Sequence, residues 1–254
     1  MSPTPTPTEP GGATRTQTTL RVERDPDGRR ARVWHHAGGG PHRPAIRPAV
    51  LSVHDTGARV ALVPEGALLL SGDDVTIHIE VGPGAALELI EPTGTVAYDM
   101  RGGKARWDTS IELAAGARLV WHGEPFVVCA GAVVTRTQRV TMAAGSRLAL
   151  RETLVLGRHG EAGGTLTQQT VASNDLGEPL IVDGFAIGPD RSGLPTGDQR
   201  SIASVLTLGA RFEFDCPGVM QLETTGTLWR ALDDPTHLVT REPVWRAATD
   251  VVHR

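Results

Sequence analysis

Beyond residue 17 the chain alternates apolar and polar positions in short runs: VTIHIEV, ALELI, ARLVW, RLALRETLVL, PLIVDGFAI, SVLTL and RFEFD. Alternation with a period of two puts successive side chains on opposite faces, and it predicts half-buried strands. One short element recurs through these runs: Gly, two residues, an apolar residue, any residue, an apolar residue. It reads GARVAL at Gly57, GAALEL at Gly84, GARLVW at Gly116, GSRLAL at Gly145, GEPLIV at Gly177 and GARFEF at Gly209, in steps of 27, 32, 29, 32 and 32 residues. A further match at Gly72 falls out of register. Glycine leads each copy because a tight turn into the next strand needs positive φ or a close backbone approach. Stacked units of this kind bury a continuous core while each contacts mainly its neighbours. The pattern therefore predicts an all-β, solenoid-like or rolled-sheet body of about six repeats of about 30 residues.

The ends differ. MSPTPTPTEPGGATRTQ is rich in Pro and Thr, cannot bury surface and predicts a disordered tail over residues 1–17. Residues 18–254 are expected to form one domain. Near the other end, Asp233, Asp234 and Pro235 offer a helix start. Leu238, Val239, Val244, Trp245, Ala248 and Val251 then recur at roughly helical spacing, interrupted at Pro243, which predicts short C-terminal helices over about 233–254 that cap the body.

Composition narrows the class. Aromatic residues are 4% of the chain against 39% hydrophobic, with Gly 30 and Pro 18, so the core must be built from aliphatic residues between frequent turns. The formal net charge is -4 and the 25 basic residues are scattered, which argues against a nucleic-acid partner. Cys129 and Cys216 make neither a disulfide framework nor a metal knuckle, and with no secretory h-region and no membrane-length apolar run they suggest a cytoplasmic protein away from membranes.

Candidate chemistry is sparse. His78-x-Glu80 is similar to half of a cupin metal motif, but the second histidine is missing and Gly82, Pro83 and Gly84 stand where the carboxylate should follow. His35 and His36 are adjacent, face opposite sides of a strand and predict solvent exposure. His122 and His159 sit beside glycine turns, where loop histidines are ordinary. No nucleophile elbow, phosphate loop, HExxH or dinucleotide fingerprint occurs. One feature exceeds the ordinary: six or seven residues after most repeat glycines falls an acidic residue, Glu91, Glu152, Asp183 or Asp215, with His122 at that place in the third copy. Stacked repeats would set these groups in a polar column; the alternative is that they close strands at the surface.

Four motifs in order resemble the urease accessory protein family UreD, also called UreH, from Arg47 to the C-terminal end. LLSGDDVTIHIEVGPGAALEL resembles its Gly-Gly-Asp turn, strand and glycine turn. TVAYD resembles its segment ending in Lys-x-Tyr-Arg, LALRETLVLGRHGE its acidic strand followed by Gly-Arg and Gly-Glu, and GEPLIVDGFAI its Glu-Pro-Leu strand. The resemblance implies a non-enzymatic scaffold that docks on urease apoprotein (UreA, UreB and UreC subunits), recruits UreF and, through it, the GTPase UreG, and conducts nickel to urease without a tightly bound cofactor. Carried over by motif position, the channel carboxylates are Asp73, Glu152 and Asp183, with Thr95 and Tyr98 adjacent; Gly72, Gly84, Gly116, Gly145, Gly177 and Gly209 are turn glycines. Ala67 and Leu68 replace the family's glycine pair, Val96 replaces its lysine, and the C-terminal helical region is short. The alternatives are a cupin-type metal-dependent enzyme, and a polymer-binding solenoid, whose aromatic ladder Trp34, Trp107, Trp121, Trp229 and Trp245 do not form.

Overall fold

A computed structural model describes residues 14–25, 27, 30–39, 45–188, 199–233 and 241–254. Its strands begin with β1 (Thr14–Glu23), β2 (Arg32–Gly38), β3 (Ile46–Val53), β4 (Gly57–Pro64), β5 (Asp73–Val81) and β6 (Ala86–Ile90). They continue with β7 (Thr95–Ala97), β8 (Ala105–Leu113), β9 (Arg118–Val128), β10 (Val133–Met142) and β11 (Arg147–Leu156). After β12 (Thr165–Asn174), β13 (Pro179–Ile187), β14 (Ser201–Leu208), β15 (Val219–Gln221) and β16 (Gly226–Asp233), the chain ends in helix α1 (Arg241–His253). No helix among the described residues is long and apolar enough to cross a membrane.

Two sheets face each other. The first runs β13-β12-β10-β8-β5-β1-β2 and the second β15-β16-β14-β11-β9-β6-β4-β3, with β7 on β9. Their centres are parallel: β1, β5, β8, β10 and β12 in the first sheet, β4, β6, β9 and β11 in the second. The chain passes from one sheet to the other and back in about four turns of a β-solenoid, and antiparallel strands close both ends.

The turns that link the sheets stack as the sequence repeat requires. Gly84, Gly116 and Gly145 each have φ between 62° and 71° and occupy the third position of a four-residue turn, closed by Ala85 N–H to Gly82 O, Ala117 N–H to Ala114 O and Ser146 N–H to Ala143 O. That position of a type II turn needs positive φ. The amides of Gly84 and Gly116 then donate to Ala115 and Ala144 in the next turn, so the turns form their own ladder.

Solenoid phasing ends there. Gly177 and Gly209 also have positive φ, but Gly177 sits in the antiparallel hairpin between β12 and β13, and RFEFD after Gly209 is not a strand. The last two copies of the repeat therefore make turns without making solenoid coils. At the N-terminus β1 already begins at Thr14 and pairs with β5, so residues 14–17, expected in the tail, are strand; residues 1–13 lie outside the described part.

The main core fills the gap between the sheets. From the first sheet it takes Val75, Ile77, Ile79 and Val81 of β5, and from the second Leu87, Leu89, Leu119, Leu148 and Leu150. The runs RLVWH, RLALR and IASVLTL are nearly continuously apolar because both faces of the second sheet are covered there. Val120, Ala149, Ala203, Val205 and Trp229 point outward and pack under α1 against Val244, Trp245, Ala248 and Val252. The helix thus lies on the sheet's outer face and does not cap an end. Asp233, expected at a helix start, closes β16, and residues 234–240, with Leu238 and Val239, lie outside the described part. Pro243 does not interrupt α1, because it falls in the first turn, where no intrahelical N–H is required.

Candidate functional site

Alternation along the strands sets which side chains enter the gap. On β10 the inward positions are Val134, Arg136, Gln138, Val140 and Met142, so an arginine and a glutamine interrupt an otherwise apolar row. Register carries them across the first sheet. One row reads Val75, Trp107, Arg136, Gln168 and Phe185; the next reads Thr18, Ile77, Thr109, Gln138, Thr170 and Asp183. On the facing sheet Glu152 lies beside Ser204, and Ser204 beside Arg230. The two sheets therefore hold a polar seam inside a largely apolar gap.

A β-bulge opens the seam. The register of β9 on β11 shifts between Arg151 and Thr153, so Gly123 and Glu124 together face Glu152. A bulge leaves an amide without its ladder partner; here Glu124 N–H donates to Glu91 Oε2 at 3.2 Å, and Trp121 Nε1 donates to Glu91 Oε1 at 2.9 Å. Gly123 is required at this point because a Cβ would lie 2.4 Å from Arg151 O. β6 and β7 pair with β9 on either side of the bulge. Between these groups lies a cavity of about 10 Å³ lined by residues that include Glu91, Thr95, Trp121, Arg136, Gln138 and Glu152, about the space of one water.

Each interior carboxylate has company. Glu152 Oε1 lies 2.7 Å from an Arg136 Nη1, and Gln168 Nε2 donates to its other oxygen at 3.1 Å. The Arg136 contact has ion-pair distance without hydrogen-bond direction, so Glu152 Oε1 and Arg136 Nε are buried with unused hydrogen-bonding capacity. Arg136 also donates to Gln168 Oε1 at 3.0 Å and lies over the Phe126 ring. Burial pushes the Glu91 carboxyl up to about 7, against the opposing pull of Arg136 and of its two hydrogen bonds, and with a smaller upward push from Glu152. At the far end Arg230 crosses the gap to Asp183 with contacts of 3.2 and 2.5 Å, and its Nε donates to Ser204 Oγ. Both side chains of that pair are 25% exposed, so the seam reaches solvent there.

The sequence candidates distribute unevenly. Thr95 and Glu152 line the same cavity, and Asp183 closes the same seam, but Glu152 and Asp183 come from opposite sheets and are not stacked equivalents. Asp215 lies exposed in the segment after β14, and His122 points outward to Glu124 and the Trp245 ring, so neither joins a column. Asp73 is held by its own turn, where its Oδ2 accepts Leu70 N–H at 2.8 Å, and it is not among the residues lining the cavity. Tyr98 is 38% exposed and shares with Thr95, Ala67, Leu68 and Val96 a surface depression of about 200 Å³. Thr95 thus stands between that depression and the interior. His35 and His36 are exposed on β2. GRHGE is a structural clasp: Arg158 hydrogen-bonds Glu161 through side chain and backbone, holding its carboxyl down to about 2.

Arg136, Gln168, Ser204 and Arg230 were not among the sequence candidates. The available signal was parity, since Arg136 and Gln168 stand at inward positions of β10 and β12. The cupin-like pair fails by the same rule: Val75, Ile77, Ile79 and Val81 face the core, so His78 and Glu80 face out.

Residues 15–249 match the family model described as UreD urease accessory protein. The chain is 44% identical over 212 residues to urease accessory protein UreD 1 of Streptomyces griseus, covering 83% of this chain and 80% of that one. It is 32% identical to urease accessory protein UreD of Frankia alni, over 84% and 85% of the two chains. With urease accessory protein UreD 1 of Saccharopolyspora erythraea it shares 37% identity over 76% and 72%.

Proposed function

We propose that this chain, which belongs to the UreD family of urease accessory proteins, is a non-catalytic cytoplasmic scaffold of urease maturation. In this reading it docks on urease apoprotein, recruits UreF and through it UreG, and conducts nickel along its interior toward the urease active site. The polar seam is the observation that carries the nickel part: Glu91, Glu152 and Asp183 lie with Arg136, Gln138 and Gln168 in a gap that is otherwise largely apolar.

The chemistry of the seam suits a passing ion. Nickel in transit must be held weakly, which carboxylates and water achieve and a thiolate or multi-histidine cage does not. Arg136 and Arg230 neutralise Glu152 and Asp183 in the resting chain, so an entering dication has to exchange with a guanidinium, which weakens its net binding further. A cavity of about 10 Å³ admits no hydrated ion without side-chain movement, and swinging the two arginines aside is the movement this reading requires. Asp73, outside the cavity, serves here as the acid of its turn.

The test is urease activity at limiting nickel in a host whose own UreD gene is removed, with this chain supplied together with its cognate urease operon. The parent chain is expected to restore activity. Glu152→Gln with Asp183→Asn is expected to lower it severalfold while co-purification with urease and UreF is unchanged. Full activity of the double variant would remove these carboxylates from the path; absence of rescue by the parent chain, despite expression and co-purification, would count against the maturation role itself.

A further inference from the structure

The outer face of the first sheet carries a separate group of ligand atoms. β5 and β8 run parallel with His78 opposite Ser110 and Glu80 opposite Glu112. All four side chains have outward parity. One donor atom each from His78, Glu80 and Glu112 lies within 4.8 Å of the others. We propose that these three residues bind a borderline first-row divalent cation, of the class of Ni²⁺, Zn²⁺ or Co²⁺, at a surface site distinct from the interior seam.

Several observations fit a ligand set. Ligands of an ion bound at about 2.1 Å sit about 3–3.5 Å apart, and the two partly or fully exposed glutamates have the rotational freedom to close the difference. His78 is already oriented: its Nδ1 lies 2.6 Å from Ser110 Oγ, and its Nε2 lies 2.8 Å from Glu80 Oε1. A ring fixed at one nitrogen and presenting the other is how protein imidazoles are commonly held for a metal. In the metal-free chain Nε2–H can donate to Glu80 while Ser110 O–H donates to Nδ1. On binding, Nδ1–H donates to the Ser110 oxygen and the Nε2 lone pair goes to the ion, a change the hydroxyl permits because it both donates and accepts.

Charge and space point the same way. Arg21 Nε stands 3.6 Å from Glu80 Oε2 and also pairs with Glu23, so one guanidinium is shared between Glu23 and Glu80. Beside them an open depression of about 290 Å³, lined also by Asp175, leaves room for water ligands. Three protein ligands with open positions describe an exchangeable site, not a closed structural one. An imidazole in the set favours borderline ions over Mg²⁺ or Ca²⁺, which prefer all-oxygen shells. The proposal stands or falls independently of nickel passage through the interior.

The experiment is titration of the untagged full-length chain with NiCl₂ and with ZnCl₂ by calorimetry at pH 7.5, with far-UV circular dichroism confirming the fold of each variant. One exchangeable equivalent is expected that His78→Ala and Glu112→Gln each weaken about tenfold or more, and Ser110→Ala about tenfold. Arg21→Gln should tighten it severalfold by removing the competing cation. Glu152→Gln and Asp183→Asn should leave this equivalent unchanged. Isotherms unaffected by both His78→Ala and Glu112→Gln would overturn the site, as would equal competition by Mg²⁺, which would mark a plain acidic patch. Since Glu112 is exposed, its substitution keeps the test decisive even if His78→Ala were poorly folded.

Discussion

Arg230 on one sheet grips Asp183 on the other with two guanidinium nitrogens, at 3.2 and 2.5 Å, and closes the solvent end of an interior polar seam. Both partners stand on antiparallel strands, β13 at the edge of the first sheet and β16 next to the edge of the second, so the pair ties together the strands added after the solenoid turns.

Replacing Arg230 by Gln should therefore leave Asp183 with reduced compensation at a quarter exposure. A loss of about 1–2 kcal/mol in urea unfolding is expected, below the cost of breaking a fully buried pair because water reaches both groups. Asp183→Asn should cost less, since Arg230 keeps Ser204 and the amide oxygen.

Glu91 makes stability depend on pH. Its carboxyl is raised from 4.5 to about 7 in the folded chain, so between those values the native state holds a proton that the unfolded state has released. Stability is greatest below about pH 4.5 as far as this group is concerned, declines as pH rises through 7 and is flat above; the full span is up to about 3 kcal/mol. Glu91→Gln should flatten that slope, making the variant more stable than the parent at pH 8 relative to pH 5.5. An unchanged slope in paired urea titrations would place the raised carboxyl elsewhere.

Arg136 and Glu152 form the deepest ion pair in the seam, with side chains 13% and 14% exposed. Glu152→Ala strands the guanidinium and is expected to cost about 3–5 kcal/mol. Arg136→Met combined with Glu152→Met should recover much of that loss, because two apolar groups of similar volume need no partner. A double-mutant cycle by urea unfolding measures the coupling.

Two repeat glycines are needed for different reasons, which substitution separates. At Gly116, with φ +67°, an added Cβ meets nothing closer than 3.8 Å, so Gly116→Ala should cost only the conformational strain of about 1–2 kcal/mol. At Gly57 the Cβ would lie 2.0 Å from Ala86 O, and the strands must separate. Gly57→Ala is expected to lower the melting temperature more than Gly116→Ala does.

Trp245 anchors α1. It packs in the second core and lies under the Arg151 guanidinium, while Arg151 also reaches Glu124 and Glu242. Trp245→Ala should cost about 3–5 kcal/mol and increase binding of a hydrophobic dye as Val120, Val205 and Trp229 lose their cover.

Alternation and the glycine spacing determined, from sequence alone, an all-β body with stacked turns at Gly84, Gly116 and Gly145, because strand parity and positive φ are local properties that a few neighbouring residues dictate. The same local signals placed Glu152 and Asp183 among the notable acids. They could not tell that Gly177 and Gly209 serve hairpin and edge segments instead of coils, since a turn glycine reads alike whichever sheet its strand joins. Nor could they reveal the seam. Arg136 meets Glu152, and Arg230 meets Asp183, only because strands of opposite sheets face each other across the gap, and the bulge at Gly123 that makes Glu124 N–H available to Glu91 exists only in the register of β9 on β11. Which carboxylates enter the interior, which stay in a turn like Asp73 and which gather outside like Glu80 and Glu112 were decided by that packing, because parity becomes inside or outside only once a second sheet covers one face.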